Sequence, residues 1–511
     1  MAQEKRLKAG NPMPLPDAFP TANGEANGRS LLLVSNREPY RVMRDDKGKV
    51  RRCVTSMGGL TSGLIPVIKQ FHGVWMCWDP RPQTPGNSGS VRKIEDDGVP
   101  FPMLLVGLRE SEFHGYYNGF CNRVLWPLCH SMLRRVSPRL DYWLHFRTVN
   151  ERFADAIARH AGPRDVVWLH DYHLMLVPAA LRRRAGTQQA IGYFHHIPFP
   201  KASILKTLPW HRQLLSGLLG ADAIAFHTAD YAAHFIESCA ELLGCDTVTD
   251  PGTVIHGQRR TLVRARPIGL EATTFERLAA ENDVKRDALR IRQQLDCDCL
   301  VLSVDRLDYT KGLLERVHAI RALLRRLPQC RGIVTFLQVA VPTRTGISEY
   351  QQYRARFEAA VRDVNEEFGT AVWQPLICRT EALTRRELVS HYLAADVAAV
   401  TPLADGLNLV ALEYCATRTN NDGVLVLSRQ AGAASMLGDN AVTVEATDPE
   451  SMVQGLIRAL TMPVDERRRR MTGLRELVLD ATSEKWARRC LRDIQSRSLI
   501  ETPSTASGRT T

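Results

Sequence analysis

The segment LVLSVDRLDYTKGLLERVHAIRALLRRL (300–327) joins a strand pattern directly to a helix pattern. Its first part, LVLSVD (300–305), is a short apolar run of the kind that forms a buried strand. The helix-length remainder begins directly after the polar segment RLDYTKG (306–312) and spaces its apolar residues as an amphipathic helix does. A strand, a loop and a helix in this order predict a βαβ unit in a parallel sheet.

The same alternation of short apolar runs and amphipathic stretches extends in both directions from this segment. Predicted strands lie at 31–36, 166–170, 190–194 and 223–227 before it, and at 333–340, 397–402 and 423–428 after it. Two successive α/β halves whose sheets face each other across a cleft account for this order. Open α/β sheets bind ligands beyond the carboxyl ends of their strands, so we expect the site in that cleft.

Composition divides the chain into five parts. A chain of 511 residues is too long for one core. The first 30 residues are rich in Pro, Gly, Asn and Ala, which predicts a disordered leader, and the tail 496–511 has the same character. The predicted first half spans 31–270, a charged connecting region spans 271–298, and the second half spans 299–495.

Hydrophobic content of 44% and charged content of 24% are ordinary values for a soluble globular protein. The sequence contains no run of 18 apolar residues and no signal-peptide core, so we expect a cytoplasmic protein without a membrane partner. The 12 cysteines are scattered and form no CxxC pair. This spacing argues against a zinc site and a disulfide framework.

The formal net charge of +12 is compatible with nucleic acid or with an anionic small-molecule substrate. Much of it lies in the apparently helical segments RALLRRL (321–327) and DERRRRM (465–471), where a solvated face is the ordinary explanation. The sequence shows no interleaved aromatic residues, zinc-finger spacing or RNA-binding strand motif. We therefore expect no nucleic-acid partner, whereas an anionic substrate remains compatible with the charge.

Two cations mark the loop after the strand 300–305. Arg306 and Lys311 lie between the strand end and a helix start, where backbone N–H groups and the helix dipole favour a phosphate group. Together they could neutralise a leaving diphosphate without a metal. The alternative is an ordinary helix-entry loop with surface cations, since no glycine-rich phosphate loop is present.

Two carboxylates occupy the next such turn, in TPLADGLNLVALEY (401–414). Asp405 lies at the predicted strand-to-helix turn and Glu413 lies eight residues later. Carboxylates at these places could accept hydrogen bonds from sugar and ribose hydroxyls. An N-capping Asp and a solvated helical Glu are the alternative.

Near the N-terminus, SMGGLTSGL (56–64) places Gly58 and Gly59 before a predicted helix. Paired glycines permit positive φ and close approach of the backbone to a ligand, although a plain loop fits equally well. Arg37, in SNREPY (35–40), follows the first predicted strand, where an arginine could bind an anion.

Histidines follow two further strands. WLHDYHLMLVP (168–178) contains His170, Asp171 and His173, but the spacing matches no common zinc motif, so we predict no metal there. FHHIPFP (194–200) adds His195 and His196. The sequence contains no GxSxG, P-loop or GxGxxG motif, which argues against hydrolase, P-loop and simple dinucleotide-oxidoreductase functions. We predict no cofactor.

Taken together, these segments resemble the trehalose-6-phosphate synthases, a family of retaining glycosyltransferases with two facing Rossmann-like domains and an active-site cleft between them (GT-B type). The resemblance runs from about Leu31 to Arg489. The motifs occur in the family's order: SNR, GGL, WxxW, YYNxFxNxVLWP, HDYHL, HIPFP, RLDYTKG, PTR with EYQQYR, DGLNLVALEY and GVLVLS.

The resemblance implies roles on the side of the sugar-nucleotide donor, expected to be UDP-glucose. Arg306 and Lys311 would hold the diphosphate, near the backbone of Gly58 and Gly59. Glu413 would bind the ribose, with the backbone of Leu409 and Val410 beside the nucleotide. Asp405 and His196 would contact the transferred glucose. The implied catalytic set is Arg306, Lys311, Asp405 and His196.

On the acceptor side, the resemblance implies that Arg37 and Arg344 bind the phosphate of glucose 6-phosphate. Two guanidinium forks suit the geometry of phosphate oxygens. The remaining acceptor residues would be Trp78, Tyr117, Trp126 and Asp171.

Some alternatives stay open at this point. Cys77 stands where the family often has glycine, and SNREPY and FHHIPFP are also similar to glucosylglycerol-phosphate synthases, whose acceptor is glycerol 3-phosphate. A catalytically inactive sugar-phosphate sensor is another class, although the intact Arg306, Lys311, Asp405 and Glu413 argue against it. The nucleotide base and the oligomeric state, including a homo-oligomer, are not determined by the sequence.

Overall fold

The α/β class is confirmed: the described residues form two largely parallel sheets, whose strands alternate with helices along the chain. The computed structural model describes residues 30–44, 50–55, 59–81, 89–94, 99–184, 188–248 and 252–496. The strands of the first half are β1 (Leu31–Val34), β2 (Tyr40–Arg44), β3 (Val50–Thr55), β4 (Val74–Asp79), β5 (Val91–Ile94), β6 (Met103–Gly107), β7 (Val166–His170), β8 (Ala190–His195), β9 (Ala223–Phe226), β10 (Asp246–Val248), β11 (Thr253–His256) and β12 (Arg259–Ala265).

The first sheet has ten strands among the described residues, in the order β10-β11-β12-β9-β8-β7-β1-β4-β6-β5. The central strands from β12 to β6 run parallel, and β5, β10 and β11 pair antiparallel at the two edges. β2 and β3 form a separate hairpin. The strand order reverses between β1 and β7, and such a switch point opens a crevice at the carboxyl ends of the strands.

The second sheet lies within 252–496, which is described without a gap. Its strands are β13 (Cys299–Leu307), β14 (Val334–Pro342), β15 (Leu376–Arg379), β16 (Val397–Val400), β17 (Val424–Ser428) and β18 (Val442–Val444). They are all parallel, in the order β15-β14-β13-β16-β17-β18. This is a doubly wound order whose switch point lies between β13 and β16.

Burial explains why these runs form strands. All four residues of β1 are fully buried, and Leu31 and Leu33 join one apolar cluster while Leu32 and Val34 join another. Successive strand side chains point to opposite faces, so both faces of this sheet are covered. Continuous apolar runs are typical of such strands, which is why the sequence pattern located them.

Helices cover both sheets. Those of the first half are α1 (Gly59–Gln70), α2 (Glu110–Phe113), α3 (Trp126–Cys129), α4 (Leu140–His160), α5 (Val177–Arg182), α6 (Ala202–Leu205), α7 (His211–Leu218) and α8 (Ala229–Leu243). A π-helical segment, His114–Leu125, joins α2 to α3. The later helices are α9 (Ala272–Ala280), α10 (Asn282–Leu295), α11 (Leu313–Arg326), α12 (Ser348–Phe368), α13 (Arg385–Ala394), α14 (Leu409–Thr417), α15 (Ala434–Leu437), α16 (Pro449–Leu460), α17 (Val464–Asp480) and α18 (Ser483–Gln495). None of the described helices has the length and apolarity needed to span a membrane.

The segment 271–298, predicted as a connecting region, consists mainly of α9 and α10. It packs on the second half, where Arg292 of α10 donates from Nη1 to Oδ2 of Asp396 at 2.7 Å. The charged residues that suggested a linker are therefore the polar faces of two packed helices.

The last helix belongs to the first half, although the sequence placed residues up to 495 in the second. In α18, the Trp486 ring lies 5.1 Å from that of Trp168 on β7, and Arg266 pairs with Asp493. The chain passes from the first half to the second near Leu270 and returns near Ala481. These two segments are adjacent, because the N–H of Leu270 donates to the carbonyl oxygen of Ala481 at 2.9 Å.

Candidate active site

The carboxyl ends of the two sheets meet, and their switch points face one cleft. The loops after β1, β7 and β8 line one side, and the loops after β13, β14 and β16 line the other. Contact between them is tight: a Cβ added to Gly406 would lie 2.1 Å from the carbonyl oxygen of His196. Tyr231 of α8 also crosses the cleft, because its hydroxyl donates to the carbonyl oxygen of Asp405 at 3.1 Å.

Lys311 and Asp405 form an ion pair at the second switch point. Nζ of Lys311 lies 2.5 Å from Oδ2 of Asp405, which also accepts from Nδ2 of Asn408 at 3.0 Å. Burial would raise the pKa of Asp405, but Lys311 outweighs it and holds that pKa below its ordinary value. Both side chains are more than four-fifths buried, so the pair keeps a charged carboxylate inside the cleft.

A tight turn positions Lys311. The short 3-10 helix Tyr309–Lys311 is capped by Asp308, whose Oδ1 accepts the N–H of Thr310 at 3.1 Å. Gly312 then adopts φ 68°, and a Cβ there would lie 2.3 Å from the carbonyl oxygen of Thr401. Only glycine combines this φ with so close an approach, so the loops after β13 and β16 interlock here.

Arg306 and Arg344 both lie over the ring of Trp126, which belongs to the other half. The guanidinium carbon of Arg306 is 5.2 Å from the ring centre and that of Arg344 is 4.0 Å. Arg306 is exposed, whereas the side chain of Arg344 is 3% exposed. The structure therefore brings together three residues that the sequence assigned to two substrates.

Asp308 is the buried counter-charge of this group, and the sequence analysis missed it. Its Oδ2 accepts from Nη1 of Arg344 at 2.6 Å. Burial would raise the pKa of Asp308, but the charges of Arg344, Arg306 and Lys311 lower it to about 2. The residue lies inside RLDYTKG, so its place between two predicted cations was the signal that could have identified it.

Arg344 keeps unused hydrogen-bonding capacity. Nη1 also donates to the hydroxyl of Tyr350 at 2.7 Å, and Nη2 lies 3.5 Å from the hydroxyl of Tyr172. Nε is buried and has no partner among the described residues. The backbone of Arg344 has φ 49°, an uncommon value for a residue with a side chain.

Arg37 and the predicted aromatic residues form the inner wall beside the first switch point. Arg37 follows β1 and donates from Nη2 to the hydroxyl of Tyr117, with its guanidinium carbon 5.0 Å from the ring centre. The Tyr117 ring stacks between neighbours, 6.4 Å from Trp78 and 5.8 Å from His173. Burial, and then the charges of Arg37 and Arg344, keep the pKa of His173 well below its ordinary value, so both arginines predicted to bind phosphate act on this ring.

Asp171 occupies a strained position directly after β7. Its φ is 75°, its N–H donates to the carbonyl oxygen of Phe194 at 2.7 Å, and its Oδ1 accepts the N–H of His196 at 3.2 Å. Burial raises the pKa of Asp171 to about 6, although two backbone N–H groups and the charges of Arg306 and Arg344 oppose this rise. Such backbone strain is typical of functional sites.

His196 follows β8 and contacts His170 rather than a metal ligand set. Its Nε2 lies 2.9 Å from Nδ1 of His170. Burial, and then the neighbouring histidines, keep the pKa of His196 well below its ordinary value. Among the described residues no group of three or more His, Cys, Asp and Glu side chains is arranged to hold a metal ion.

The predicted nucleotide site is the start of α14. Leu409 and Val410 are its first residues, where backbone N–H groups have no partner within the helix. Oε2 of Glu413 accepts from the hydroxyl of Tyr392 at 2.8 Å. Burial raises the pKa of Glu413 to about 7, against the effects of Tyr392 and Arg385. Tyr392 was not predicted, because it lies 21 residues away on α13.

The glycine pair is only partly visible. Gly59 is the first residue of α1, the helix that follows the β2–β3 hairpin in the sequence. Gly58 lies outside the described residues. The roles assigned to Gly58, Gly59 and the other site residues stay predictions.

Known proteins share this architecture over almost the whole chain. The family model described as glycosyltransferase family 20 matches residues 29–496. The bifunctional trehalose-6-phosphate synthase/phosphatase of Thermoproteus tenax is 35% identical over 89% of this chain, which spans 62% of that relative's length. The UDP-forming alpha,alpha-trehalose-phosphate synthase 2 of Aspergillus fumigatus is 36% identical, over 92% of this chain and 97% of its own.

A solved structure is similar to the same extent. The UDP-forming alpha,alpha-trehalose-phosphate synthase of Burkholderia xenovorans, in complex with glucose 6-phosphate, superposes with a TM-score of 0.84 at 32% identity, covering 91% of this chain and 100% of that chain. Family match, sequence identity and fold agree with the geometry of the cleft, and the chain belongs to glycosyltransferase family 20.

Proposed function

We propose that the protein is a retaining glucosyltransferase that moves glucose from UDP-glucose to glucose 6-phosphate and releases UDP and trehalose 6-phosphate. One observation carries the proposal: Arg306 and Arg344 of the second half lie over Trp126 of the first half, and Lys311 is paired with Asp405 in the same cleft. The names of the relatives from Aspergillus and Burkholderia, and the glucose 6-phosphate bound to the latter, support this donor and acceptor.

Arg306 and Lys311 would receive the diphosphate of the donor. Arg306 is exposed at the cleft, so its guanidinium is accessible to a ligand without breaking an internal pair. Lys311 is bound to Asp405 at 2.5 Å, and an arriving diphosphate would share its three N–H donors. As the bond between glucose and diphosphate breaks, negative charge grows on the leaving oxygen, where these cations stabilise it most.

Asp405 and Glu413 would bind donor hydroxyls. Lys311 keeps Asp405 ionised, which leaves its second carboxylate oxygen as an acceptor for a hydroxyl of the transferred glucose. Glu413 lies one turn inside α14, beyond the N–H groups of Leu409 and Val410, so the ribose would rest on the same helix.

The phosphate of the acceptor would lie between Arg37 and Arg344. Asp308 and Tyr350 hold Arg344 in place, so its guanidinium charge is fixed before a phosphate arrives. Tyr117 and Trp126 supply the apolar walls on which sugar rings pack, and Trp78 stacks behind Tyr117. Asp171, with a pKa raised to about 6, would accept a hydrogen bond from an acceptor hydroxyl above that pH.

The reaction is then a front-face substitution. The C1 hydroxyl oxygen of glucose 6-phosphate forms the new bond to C1 of the donor glucose, on the face from which the diphosphate leaves. The bond between C1 and the diphosphate oxygen breaks, and that oxygen takes the proton of the attacking hydroxyl. The residues supply position and charge stabilisation, which together account for large rate effects.

The test is direct. Purified protein is incubated with UDP-glucose and glucose 6-phosphate, or with glycerol 3-phosphate in its place, and products are identified by mass and by the NMR coupling of the new anomeric proton. We expect a disaccharide phosphate with the α,α linkage from glucose 6-phosphate. Exclusive transfer to glycerol 3-phosphate, or an inverted linkage, would contradict the proposal.

A further inference from the structure

His170 is a buried polar residue in an apolar setting, and the mechanism above does not use it. It is fully buried at the end of β7, with its ring 4.6 Å from that of Trp168 and 6.5 Å from that of Trp486. Its Nδ1 faces Nε2 of His196 at 2.9 Å, and its Nε2 is buried without a partner among the described residues. Burying an imidazole with one unpaired nitrogen is unfavourable, so an apolar side chain would suit stability better.

The hydrogen bond between these rings holds one proton. Burial lowers the pKa of His170 to about 3, and burial with the neighbouring His170, His227 and His195 keeps that of His196 well below its ordinary value. Both rings are therefore neutral near neutral pH, and each carries one N–H. One nitrogen in the contact donates and the other accepts.

The unpaired nitrogen of His170 decides which ring donates. If the proton of His170 were on Nε2, a buried N–H would have no acceptor among the described residues, which is rare in folded proteins. A bare lone pair at that place is tolerated more easily. The proton therefore belongs on Nδ1 of His170, which donates to Nε2 of His196, and His196 carries its own proton on Nδ1.

The rest of His196 is already fixed. Its N–H donates to Oδ1 of Asp171 at 3.2 Å, and its carbonyl oxygen packs against Gly406. The ring Nδ1 of this part-buried residue has no hydrogen-bond partner among the described residues, so it is the ring nitrogen left for a ligand.

We propose that His170 is a positioning residue that holds His196 as its Nδ1–H tautomer, so that Nδ1 of His196 donates a hydrogen bond to an oxygen of the transferred glucose. The identity of that ligand rests on the proposed function, but the tautomer does not. A donor fixed before the substrate arrives needs no reorganisation during the reaction. In histidines generally, the hydrogen bond that one ring nitrogen makes determines whether the other nitrogen carries the proton.

The tautomer is measured in the substrate-free protein. Nitrogen-15 NMR of histidine-labelled protein at pH 7.5, with His196→Gln used to assign the signals, distinguishes protonated from bare ring nitrogens. We expect His196 to be protonated on Nδ1 and bare on Nε2. The opposite pattern overturns the proposal, whatever reaction the enzyme catalyses. If His196 is protonated on Nδ1 as expected but the protein transfers no glucose, the proposed function alone is overturned.

Two substitutions test the consequence. His170→Phe removes the donor and keeps an aromatic, somewhat larger ring, whereas His170→Asn retains an amide donor near the place of Nδ1. Loss of one hydrogen bond of ordinary strength predicts that kcat falls roughly tenfold in His170→Phe. The KM for glucose 6-phosphate should stay within about twofold, and His170→Asn should recover most of kcat.

His195 provides the matched control. It is also fully buried at the end of β8 with an unpaired Nε2, but its Nδ1 faces the hydroxyl of Tyr193 at 3.1 Å and not His196. His195→Phe should shift the thermal midpoint in the same direction as His170→Phe does, while kcat stays close to the wild-type value. Equal loss of kcat in both variants, or no rescue by His170→Asn, means that His170 serves packing only. If His170→Phe does not fold, His170→Asn and the NMR signals of His196 decide the question.

Discussion

Arg344 and Trp126 lie against each other across the cleft, with the guanidinium carbon 4.0 Å from the centre of the ring. Arg344 follows β14 of the second half, and Trp126 begins α3 of the first. The proposed acceptor pocket therefore takes residues from both halves. Arg306 shares the same ring, so the arginines proposed for donor and for acceptor binding lie over one side chain.

Replacing Arg344 with Ala should weaken acceptor binding far more than donor binding. The side chain is buried and paired with Asp308, and removing one partner of a buried charge pair costs on the order of 2–5 kcal/mol. We expect the KM for glucose 6-phosphate to rise by at least about thirtyfold, with the KM for UDP-glucose within a few-fold. Steady-state kinetics with each substrate varied in turn measure both. Arg354→Ala, an exposed arginine of α12, is the control, and equal losses for both substrates would refute the assignment.

Arg306→Ala and Lys311→Ala should lower turnover rather than only affinity. Cations that meet charge growing on the leaving diphosphate bind the transition state more tightly than the ground state. Each loss should reduce kcat roughly 10²–10³-fold, by analogy with one oxyanion-hole donor. Turnover at saturating substrates is the measurement, and near-normal kcat with a raised KM would show that the residues only bind nucleotide.

The two variants should differ in stability, which the sequence did not predict. Arg306 is exposed, so Arg306→Ala should keep the thermal midpoint of the wild type. Lys311 is 8% exposed and paired with Asp405, so Lys311→Ala leaves a carboxylate unpaired in the cleft and should lower the midpoint. Thermal melting separates the two, with Lys206→Ala at an exposed pair as the control.

Transfer should proceed without an added divalent metal. Arg306 and Lys311 supply two positive charges at the place where the diphosphate is expected. Activity in excess EDTA should equal that in magnesium within about twofold, since the cations already stabilise the leaving group. Abolished activity in chelator that magnesium or manganese restores would contradict this expectation.

Donor affinity should rise with pH around neutrality. Burial raises the pKa of Glu413 to about 7, so this carboxyl is mostly protonated at pH 6 and mostly ionised at pH 8. Only the ionised form accepts two strong hydrogen bonds from ribose hydroxyls. The KM for UDP-glucose at pH 6 should exceed its value at pH 8 by up to about tenfold, since one pKa unit corresponds to a factor of ten.

Glu413→Gln is the matched variant for this profile. It cannot ionise, so its KM for UDP-glucose should be higher and should not vary with pH between 6 and 8. A wild-type profile that is flat, or a variant profile that keeps the slope, would show that another group titrates.

The strands were predictable because both faces of each sheet are buried, so their sequences are continuous apolar runs such as 166–170, which matches β7. The loops after β13 and β16 were predictable as sites because open α/β sheets place ligands there. Contacts across the fold were not. His170 meets His196 only because β7 pairs with β8 in a register that sets His170 opposite Phe194.

Burial and partner choice also escaped the sequence. The sequence around Lys311 does not distinguish an exposed lysine from one in a buried ion pair. Its partner, Asp405, lies 94 residues away in the sequence. The amphipathic pattern of α18 shows that one face is buried but does not identify the sheet that covers it. The second half was therefore expected to include a helix that packs on the first.

The return of α18 gives the chain two crossings between the halves, and these lie side by side. Leu270 on the outward crossing bonds to Ala481 on the return, and the hydroxyl of Ser483 donates to the carbonyl oxygen of Gly269 at 3.1 Å. Two adjacent connections should allow the halves to rotate about the axis through them and should oppose sliding or twisting. Ribosomal synthesis adds a second effect, because the first half lacks its Trp486 and Ile494 packing until α18 has emerged.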